Sequence, residues 1–181
     1  MKLCKYAVAL LSLGISLSVS AAIGNITEQV NNPAEIKRQK QTINGKKGVG
    51  VETDDTIRTS QGKIGITFED STRVQINENS KLIIDDFVYD PKSKTGKLGA
   101  KIALGTVRYA SGAIAHNSPR GVALSTPTAT IAVRGTDFTA TVDELGESTV
   151  VLLPSCPINR PLRTVKDIEA ACITGEIEVH T

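Results

Sequence analysis

Aromatic residues are scarce in this sequence, which has no tryptophan and only three phenylalanines and three tyrosines among its 181 residues. Proteins that bind single-stranded nucleic acid use aromatic side chains on which the bases stack. A sugar-binding cleft relies on the same kind of stacking surface. The scarcity therefore argues against a single-stranded nucleic-acid binder and disfavours a glycan as the ligand.

An excess of positive charge is missing as well. The chain has 21 lysines and arginines, and removal of an N-terminal segment with Lys2 and Lys5 leaves 19, against 19 aspartates and glutamates. A nucleic-acid-binding protein usually needs a marked basic excess to displace the counterions of the phosphates. One basic cluster spans Lys37–Lys47, but acidic residues from Glu52 to Asp55 follow it closely, and we interpret it as a solvated face. We predict no nucleic-acid partner.

Residues that carry catalysis or bind metals form no recognisable set. The sequence has neither the Gly-x-Ser-x-Gly motif of a serine nucleophile nor the spacing of a P-loop. Its two histidines, His116 and His180, are far apart, whereas a catalytic zinc site usually takes three closely spaced ligands. The acidic residues within Asp85–Asp90 lack the pattern of a calcium-binding loop. We predict no enzymatic activity, no metal and no cofactor.

No apolar run is long enough to cross a membrane as a helix. The run from Tyr6 to Val19 has about 14 residues, whereas a spanning helix needs roughly 20. It follows a basic start and precedes the small residues Ser20, Ala21 and Ala22, a pattern typical of a cleaved secretory signal peptide. We assign residues 1–22 to this signal, with cleavage after Ala21 or Ala22. The mature protein is then periplasmic or extracellular, without stable membrane insertion; an uncleaved N-terminal anchor is the alternative.

Alternation of apolar and polar residues is the dominant pattern in the rest of the chain. Ile64, Ile66 and Phe68 alternate with polar or small residues, and the same period of two recurs in 73–77, 97–104 and 138–142. This period places one face of a strand in a core and the other in water. Turn residues separate the runs. Many short strands of this kind indicate an all-β fold, either a sandwich, a barrel or a short solenoid.

The C-terminal part contains the one helix that the sequence predicts. Thr164 and Asp167 have the spacing of a capping box, and Gly175 is expected to end the helix. The segments Thr149–Leu153 and Glu176–Val179 flank it, and we interpret them as the two strands of one hairpin. The predicted domains are therefore 23–149, a β domain, and 150–181, a hairpin with an inserted segment that holds one short helix.

Two cysteines remain once the predicted signal peptide, which contains Cys4, is removed. An even pair in an exported chain favours a disulfide, here between Cys156 and Cys172. The bond would close a loop of 17 residues and stabilise the fold by roughly 3 kcal/mol in the chain-entropy model. Two free thiols are the alternative.

Several short motifs, in order along the chain, resemble the FecR-type periplasmic domain. The segment Ser125–Phe138 is similar to the family pattern T-P-x-A-x-x-G-V-R-G-T-x-F, with Ala132 in place of a glycine. The segment Asp54–Thr59 resembles G-D-x-I-x-T, and Ile64–Val74 resembles I-x-F-x-D-G-S-x-V/L. In these two segments Asp54 and Ser71 stand where the family pattern has glycine. The resemblance covers residues 23–143.

The resemblance implies a short β-solenoid or β-roll of many short strands. In regulators of this family the domain follows a transmembrane helix and a cytoplasmic part that binds a sigma factor. The sequence has neither feature, and we therefore expect the domain alone, without a transmembrane signalling architecture.

The residues of the best-matching motif are interpreted as structural. They are Thr126, Pro127, Arg134, Gly135, Thr136, Asp137 and Phe138. Arg134 and Asp137 are expected to pair across a turn and to bond buried carbonyl groups, so that Arg134→Ala lowers stability by about 2 kcal/mol or more. The alternative is that Arg134 contacts a partner.

The predicted function is that of a non-catalytic exported module that binds a protein partner in the periplasm or envelope. The candidate contact is the hairpin tip Asp90–Lys97, with Lys92, Lys94 and Lys97, although an ordinary polar tip would have the same composition. The inserted segment 154–175 is a second candidate. A structural or adhesive component of an envelope, appendage or particle that associates with itself is the alternative function.

Overall fold

A computed structural model describes residues 21–118, 120–154, 164–172 and 175–181, without the side chains of 169–171. Residues 1–20, which hold most of the predicted signal peptide, lie outside this part of the chain, and so does Cys156. The signal peptide and the disulfide between Cys156 and Cys172 therefore stay predictions.

The described residues form fourteen strands and two short helices. In chain order they are β1 (Gly24–Asn31), β2 (Ala34–Arg38), β3 (Gln41–Gly45), β4 (Gly50–Val51), β5 (Thr56–Arg58), β6 (Gly62–Phe68), β7 (Arg73–Ile76), β8 (Lys81–Asp90), β9 (Thr95–Ala110), α1 (Ala113–Asn117), β10 (Val122–Ser125), β11 (Thr130–Arg134), β12 (Asp137–Val142), β13 (Ser148–Leu153), α2 (Val165–Ala171) and β14 (Glu176–His180).

One long strand joins the two halves of the sheet. The first part of β9 pairs with β8 and β10, and its second part pairs with β7 and β12. We call the strands β4-β1-β6-β7-β9-β12-β13, in spatial order, the β1 half. The strands β3-β2-β5-β8-β9-β10-β11-β14 form the β2 half. Gly105 lies where β9 changes halves, with φ at +79°, and a Cβ there would collide with Ser80.

Both halves contribute to one contiguous apolar core. The alternation in the sequence produces it: in β6, for example, Ile64, Ile66 and Phe68 are all buried. The rings of Tyr109 and Phe138, from neighbouring strands, stack with their centroids 5.3 Å apart. Full burial of a side chain of this size contributes about 1.5–3 kcal/mol, so the core is the main source of stability.

The predicted all-β class is confirmed, but the solenoid or roll is not. The sheet is a curled half-barrel, and its described strands pair in antiparallel fashion except for β9 with β10. A β-solenoid stacks parallel strands from successive coils. The period of two that the sequence contains is common to both architectures, and it does not determine strand direction.

The predicted C-terminal hairpin is wrong, although both of its strands form. β13 pairs with β12, from Val142 opposite Ser148 to Asp137 opposite Leu153. β14 pairs with β11 in the other half of the sheet. The five-residue connection between β12 and β13 explains the first pairing, because strands joined by a short loop usually become neighbours.

The predicted capping box at the start of α2 is confirmed. The Thr164 hydroxyl accepts a hydrogen bond from the Asp167 backbone N–H at 3.2 Å, and the Asp167 carboxylate accepts one from the Thr164 N–H at 2.9 Å. The helix ends at Ala171, before Cys172, rather than at Gly175.

Candidate interaction surface

The motif that best matches the family pattern begins with a tight turn between β10 and β11. Thr126 N donates to the Ala129 carbonyl at 2.7 Å, and the buried Thr126 hydroxyl accepts from Ala129 N at 3.0 Å. The Ser148 hydroxyl also donates to it at 2.8 Å, which ties the turn to β13. Pro127 is the second residue of the turn, where its fixed φ is favourable. Thr126 and Pro127 thus form a turn that is tied to β13.

The surroundings of the Arg134 side chain contradict the structural role that we predicted for this residue. Its side chain is exposed at the end of β11 and has no hydrogen bond or ion pair with any residue in the described part of the chain. Asp137 does not pair with it; one Asp137 carboxylate oxygen accepts a bond from Ser111 N at 3.2 Å instead. The expected buried network is absent here because side chains alternate between the core and solvent along β11. Ile131 and Val133 point into the core, so Arg134 points toward solvent.

The rest of this motif, Gly135 to Phe138, is built into the fold. Gly135 has φ at +60°, and a Cβ on it would lie 2.6 Å from Nδ1 of His116. The Thr136 carbonyl accepts a hydrogen bond from the Ser111 hydroxyl at 2.6 Å. Phe138 is fully buried. A larger residue at position 135 would therefore displace His116. Among Arg134 to Phe138, only Arg134 has a side chain that is largely exposed.

The lysines of the β8–β9 hairpin are not equivalent. Lys92 and Lys94 lie at the exposed tip and form no ion pair within the described residues, whereas Lys97 forms a surface ion pair with Asp86 at 2.9 Å. Surface pairs of this kind contribute little to stability, about 0–1 kcal/mol. Of the three predicted contact residues, Lys92 and Lys94 are therefore the more available.

The backbone of this tip is fixed by Asp90. Its carboxylate accepts hydrogen bonds from the Ser93 hydroxyl at 2.8 Å and from Lys92 N at 2.9 Å. Because both bonds favour the ionised form, they hold the pKa of Asp90 below its usual value, with the Ser93 bond as the larger cause. The tip thus has a defined shape from which the Lys92 and Lys94 side chains project.

One residue of the basic cluster, Arg38, belongs to a largely buried charge network, whereas the lysines of the cluster are exposed, as predicted for a solvated face. Asp55 is completely buried and accepts two bonds from the Arg38 guanidinium, from Nε and Nη2, each at 2.8 Å. Arg38 also bonds Glu52 at 2.5 Å and the Gly50 carbonyl at 2.8 Å. The Asp55 hydrogen bond raises the pKa of Arg38, so that the guanidinium stays charged. Arg38 lies inward because it shares the parity of Ala34 and Ile36 in β2.

The described part of the chain contains no helix long and apolar enough to cross a bilayer. Within the same residues, no three His, Cys, Asp or Glu side chains are grouped in a way that would hold a metal ion.

Comparison with protein families gives one match. The family described as FecR protein matches residues 55–154, which are 100 of the 181 residues. The chain belongs to this family. No curated protein and no solved structure matches it. The matched FecR segment starts at the buried Asp55 and ends just after β13, and β1 to β3 pair into the same sheet outside it.

Two departures from the FecR pattern preserve an unusual backbone. Asp54 and Ser71 stand where the pattern has glycine, and both have left-handed backbone angles, with φ at 67° and 68°. Such angles are favourable for glycine and disfavoured for other residues. Beside Ser71, the buried Asp70 carboxylate accepts bonds from the Thr72 hydroxyl at 2.7 Å and from Ile114 N at 3.2 Å. The motif therefore encodes a turn that also holds the start of α1.

Proposed function

We propose that this FecR domain is a non-catalytic exported module that binds a protein partner in the periplasm or the cell envelope. The match to the FecR family over residues 55–154 carries the proposal. Domains of this family suggest regulatory or signalling interactions and are typical of envelope-associated regulators. The basic start and the 14-residue apolar run of the N-terminus support export.

In this proposal the contact surface consists of three exposed basic side chains of the β2 half, Lys92, Lys94 and Arg134. Arg134 lies next to Gly135, over which the His116 ring packs. Two residues after His116, the Ser118 hydroxyl accepts a bond from Gly96 N at 2.8 Å, at the base of the β8–β9 hairpin. The segment 116–118 thus joins Arg134 to the hairpin whose tip carries Lys92 and Lys94. Arginine is enriched at protein interfaces, which suits an exposed Arg134 without an internal partner.

Site-specific photocrosslinking in cells tests this proposal. A photoreactive amino acid would replace Lys94 or Arg134, and Lys40, an exposed residue at the β2–β3 turn, would be the control position. We expect positions 94 and 134 to capture the same envelope protein and position 40 to capture none. Capture of the chain's own copies alone would favour the self-associating structural component instead, and capture of no protein from either position would contradict the proposal.

N-terminal sequencing of the protein recovered from the periplasm or medium tests the export part separately. Cleavage after Ala21 or Ala22 gives a mature chain that starts at Ala22 or Ile23. Recovery in the cytoplasm with Met1 retained would contradict export.

A further inference from the structure

We infer that the outward face of the β1 half binds a short acidic segment of a protein partner, and that Arg73 and Arg108 receive its carboxylates. This inference rests on the proposed function, because it assumes a protein partner, and it assigns a second surface and a chemical class to that partner. No single motif of the sequence links the two arginines, since Arg73 and Arg108 are 35 residues apart.

The strand register places the two arginines side by side. Arg73 of β7 lies opposite Ala110 of β9, and Gln75 lies opposite Arg108. Arg73 and Arg108 are therefore diagonal neighbours on the same face, at a Cβ separation of roughly 7–8 Å. Their strand neighbours Val74 and Tyr109 are buried, so both arginines point away from the core.

The arginine and glutamine donors of this face have no acceptor within the described protein. Arg73, Arg108 and Gln75 form no side-chain hydrogen bond or ion pair with a described residue. Arg38 provides the contrast in the same chain, because its guanidinium is satisfied by Asp55, Glu52 and a backbone carbonyl. A guanidinium presents five N–H donors in a planar fork that matches a carboxylate. The face thus offers two unoccupied carboxylate-binding groups.

A groove of about 260 Å³ runs along this face beside the arginines. Gly65 lies next to Gln75 on the β6 side, and Ala110 lies next to Arg73 on the β9 side. The two charged residues of opposite sign that line the groove are Glu28 and Asp137. Asp137 already accepts a bond from Ser111 N at 3.2 Å. Glu28 of β1 lies opposite Gly65, and its side chain lies over that glycine.

This arrangement defines the chemistry of the ligand. In an extended peptide, alternate side chains project from the same face about 6.5–7 Å apart, which is close to the separation of the two arginines. Two glutamates separated by one residue would therefore reach Arg73 and Arg108 together. Glu28 and Asp137 would repel further carboxylates, so the segment should have a short acidic centre with neutral or basic ends.

A peptide titration tests the inference on the purified full chain. The probe is a labelled peptide Lys-Ser-Glu-Ser-Glu-Ser-Lys, and its control has glutamine in place of both glutamates. Binding is measured by fluorescence anisotropy, and the arginine Nε–H resonances are followed by NMR. We expect the resonances of Arg73 and Arg108 to shift with the glutamate peptide alone, and the double variant Arg73→Gln/Arg108→Gln to bind at least tenfold more weakly.

A matched variant controls for the loss of charge. Arg58→Gln/Lys101→Gln removes two exposed positive charges from the outward face of the β2 half, and we expect its affinity to change less than twofold. An equal loss of peptide affinity in both double variants would overturn the inference. Equal shifts of the Nε–H resonances of all exposed arginines would overturn it as well. Saturation of the two arginines by inorganic phosphate, or stronger binding to vesicles with 30% anionic lipid than to the peptide, would overturn it as well.

The crosslinking experiment separates this inference from the proposed function. If the envelope partner is captured equally by the parent chain and by Arg73→Gln/Arg108→Gln, and the peptide does not bind, the groove inference fails while the proposed function stands. Peptide binding at Arg73 and Arg108 without any captured partner contradicts the proposed function instead.

Discussion

Removal of the Arg38 guanidinium is the most direct test of the buried charge network. In Arg38→Met the side chain keeps a similar length, but Asp55, which is 0% exposed, keeps only its bond from Glu52 N at 2.8 Å. Breaking a buried ion pair by removal of one partner lowers stability by about 3–5 kcal/mol. Because the Arg38 side chain is 21% exposed, water partly replaces it, and we expect the lower end, about 3 kcal/mol.

Urea unfolding, followed by circular dichroism at pH 7, measures this loss. With an m-value of about 2 kcal/mol/M, a loss of about 3 kcal/mol lowers the midpoint by about 1.5 M. Arg58→Met is the matched control, because Arg58 is an exposed arginine of the adjacent strand β5 and has no ion pair with a described residue. We expect it to change the free energy of unfolding by no more than about 0.5 kcal/mol.

A double variant separates the pair from the packing around it. Arg38→Met with Asp55→Leu removes both charges, and replacement of a buried ion pair by apolar residues is often close to neutral. We therefore expect the double variant to lose less stability than the sum of the two single variants. A loss below about 1 kcal/mol in Arg38→Met, or strict additivity in the double variant, would refute the reasoning.

Three further predictions concern single positions. Arg134→Ala should change the free energy of unfolding by no more than about 0.5 kcal/mol, because the side chain is exposed and unpaired in the described protein; a loss of about 2 kcal/mol would restore the buried network first expected. Ser71→Gly should raise the free energy of unfolding by about 0.5 kcal/mol, because a φ of 68° is favourable for glycine. Ser71→Ala should not raise it. Burial raises the pKa of Tyr109 well above its usual value, so the unfolded chain ionises first near pH 10. The contribution of Tyr109 to the free energy of unfolding is therefore fully present below pH 10, and it falls as the pH rises further, by up to about 1.4 kcal/mol per pH unit. Urea midpoints between pH 9 and 11 should therefore decrease more steeply for the parent chain than for Tyr109→Phe, and parallel slopes would contradict the assignment.

Local features of the fold were predictable from the sequence because they depend on neighbouring residues. The alternation at Ile64, Ile66 and Phe68 predicted a strand with one buried face, and β6 has that face. The capping box of Thr164 and Asp167 predicted the start of α2 for the same reason, since its two bonds join residues three positions apart.

The partners of the strands were not predictable in the same way. The pattern of β13 and β14 identifies two strands, but it contains no information on which neighbour each one takes. The short loop before β13 was a usable signal, because it favours pairing with β12 over pairing with a strand beyond a 22-residue connection. The groove at Arg73 and Arg108 had no such signal, since it depends on the register between β7 and β9.

The contrast between Arg38 and Arg134 did have a signal in the sequence. In β2 the apolar residues Ala34 and Ile36 have the same parity as Arg38, so the alternation predicts an inward arginine. In β11 Ile131 and Val133 have the opposite parity to Arg134, so the alternation predicts an outward one. The family motif directed attention to Arg134, whereas the period-two rule, applied residue by residue, assigns both side chains to the correct side.

The 16-residue strand β9 has a consequence for the way the molecule opens. Each half of the sheet contains a part of β9 between two other strands, so neither half can separate from β9 without breaking interior hydrogen bonds. We therefore expect the amide protons on both sides of Gly105 to exchange with solvent only through global unfolding, at the same slow rate. A ligand held on one half would then slow exchange in the other half by the same free energy with which it stabilises the folded state.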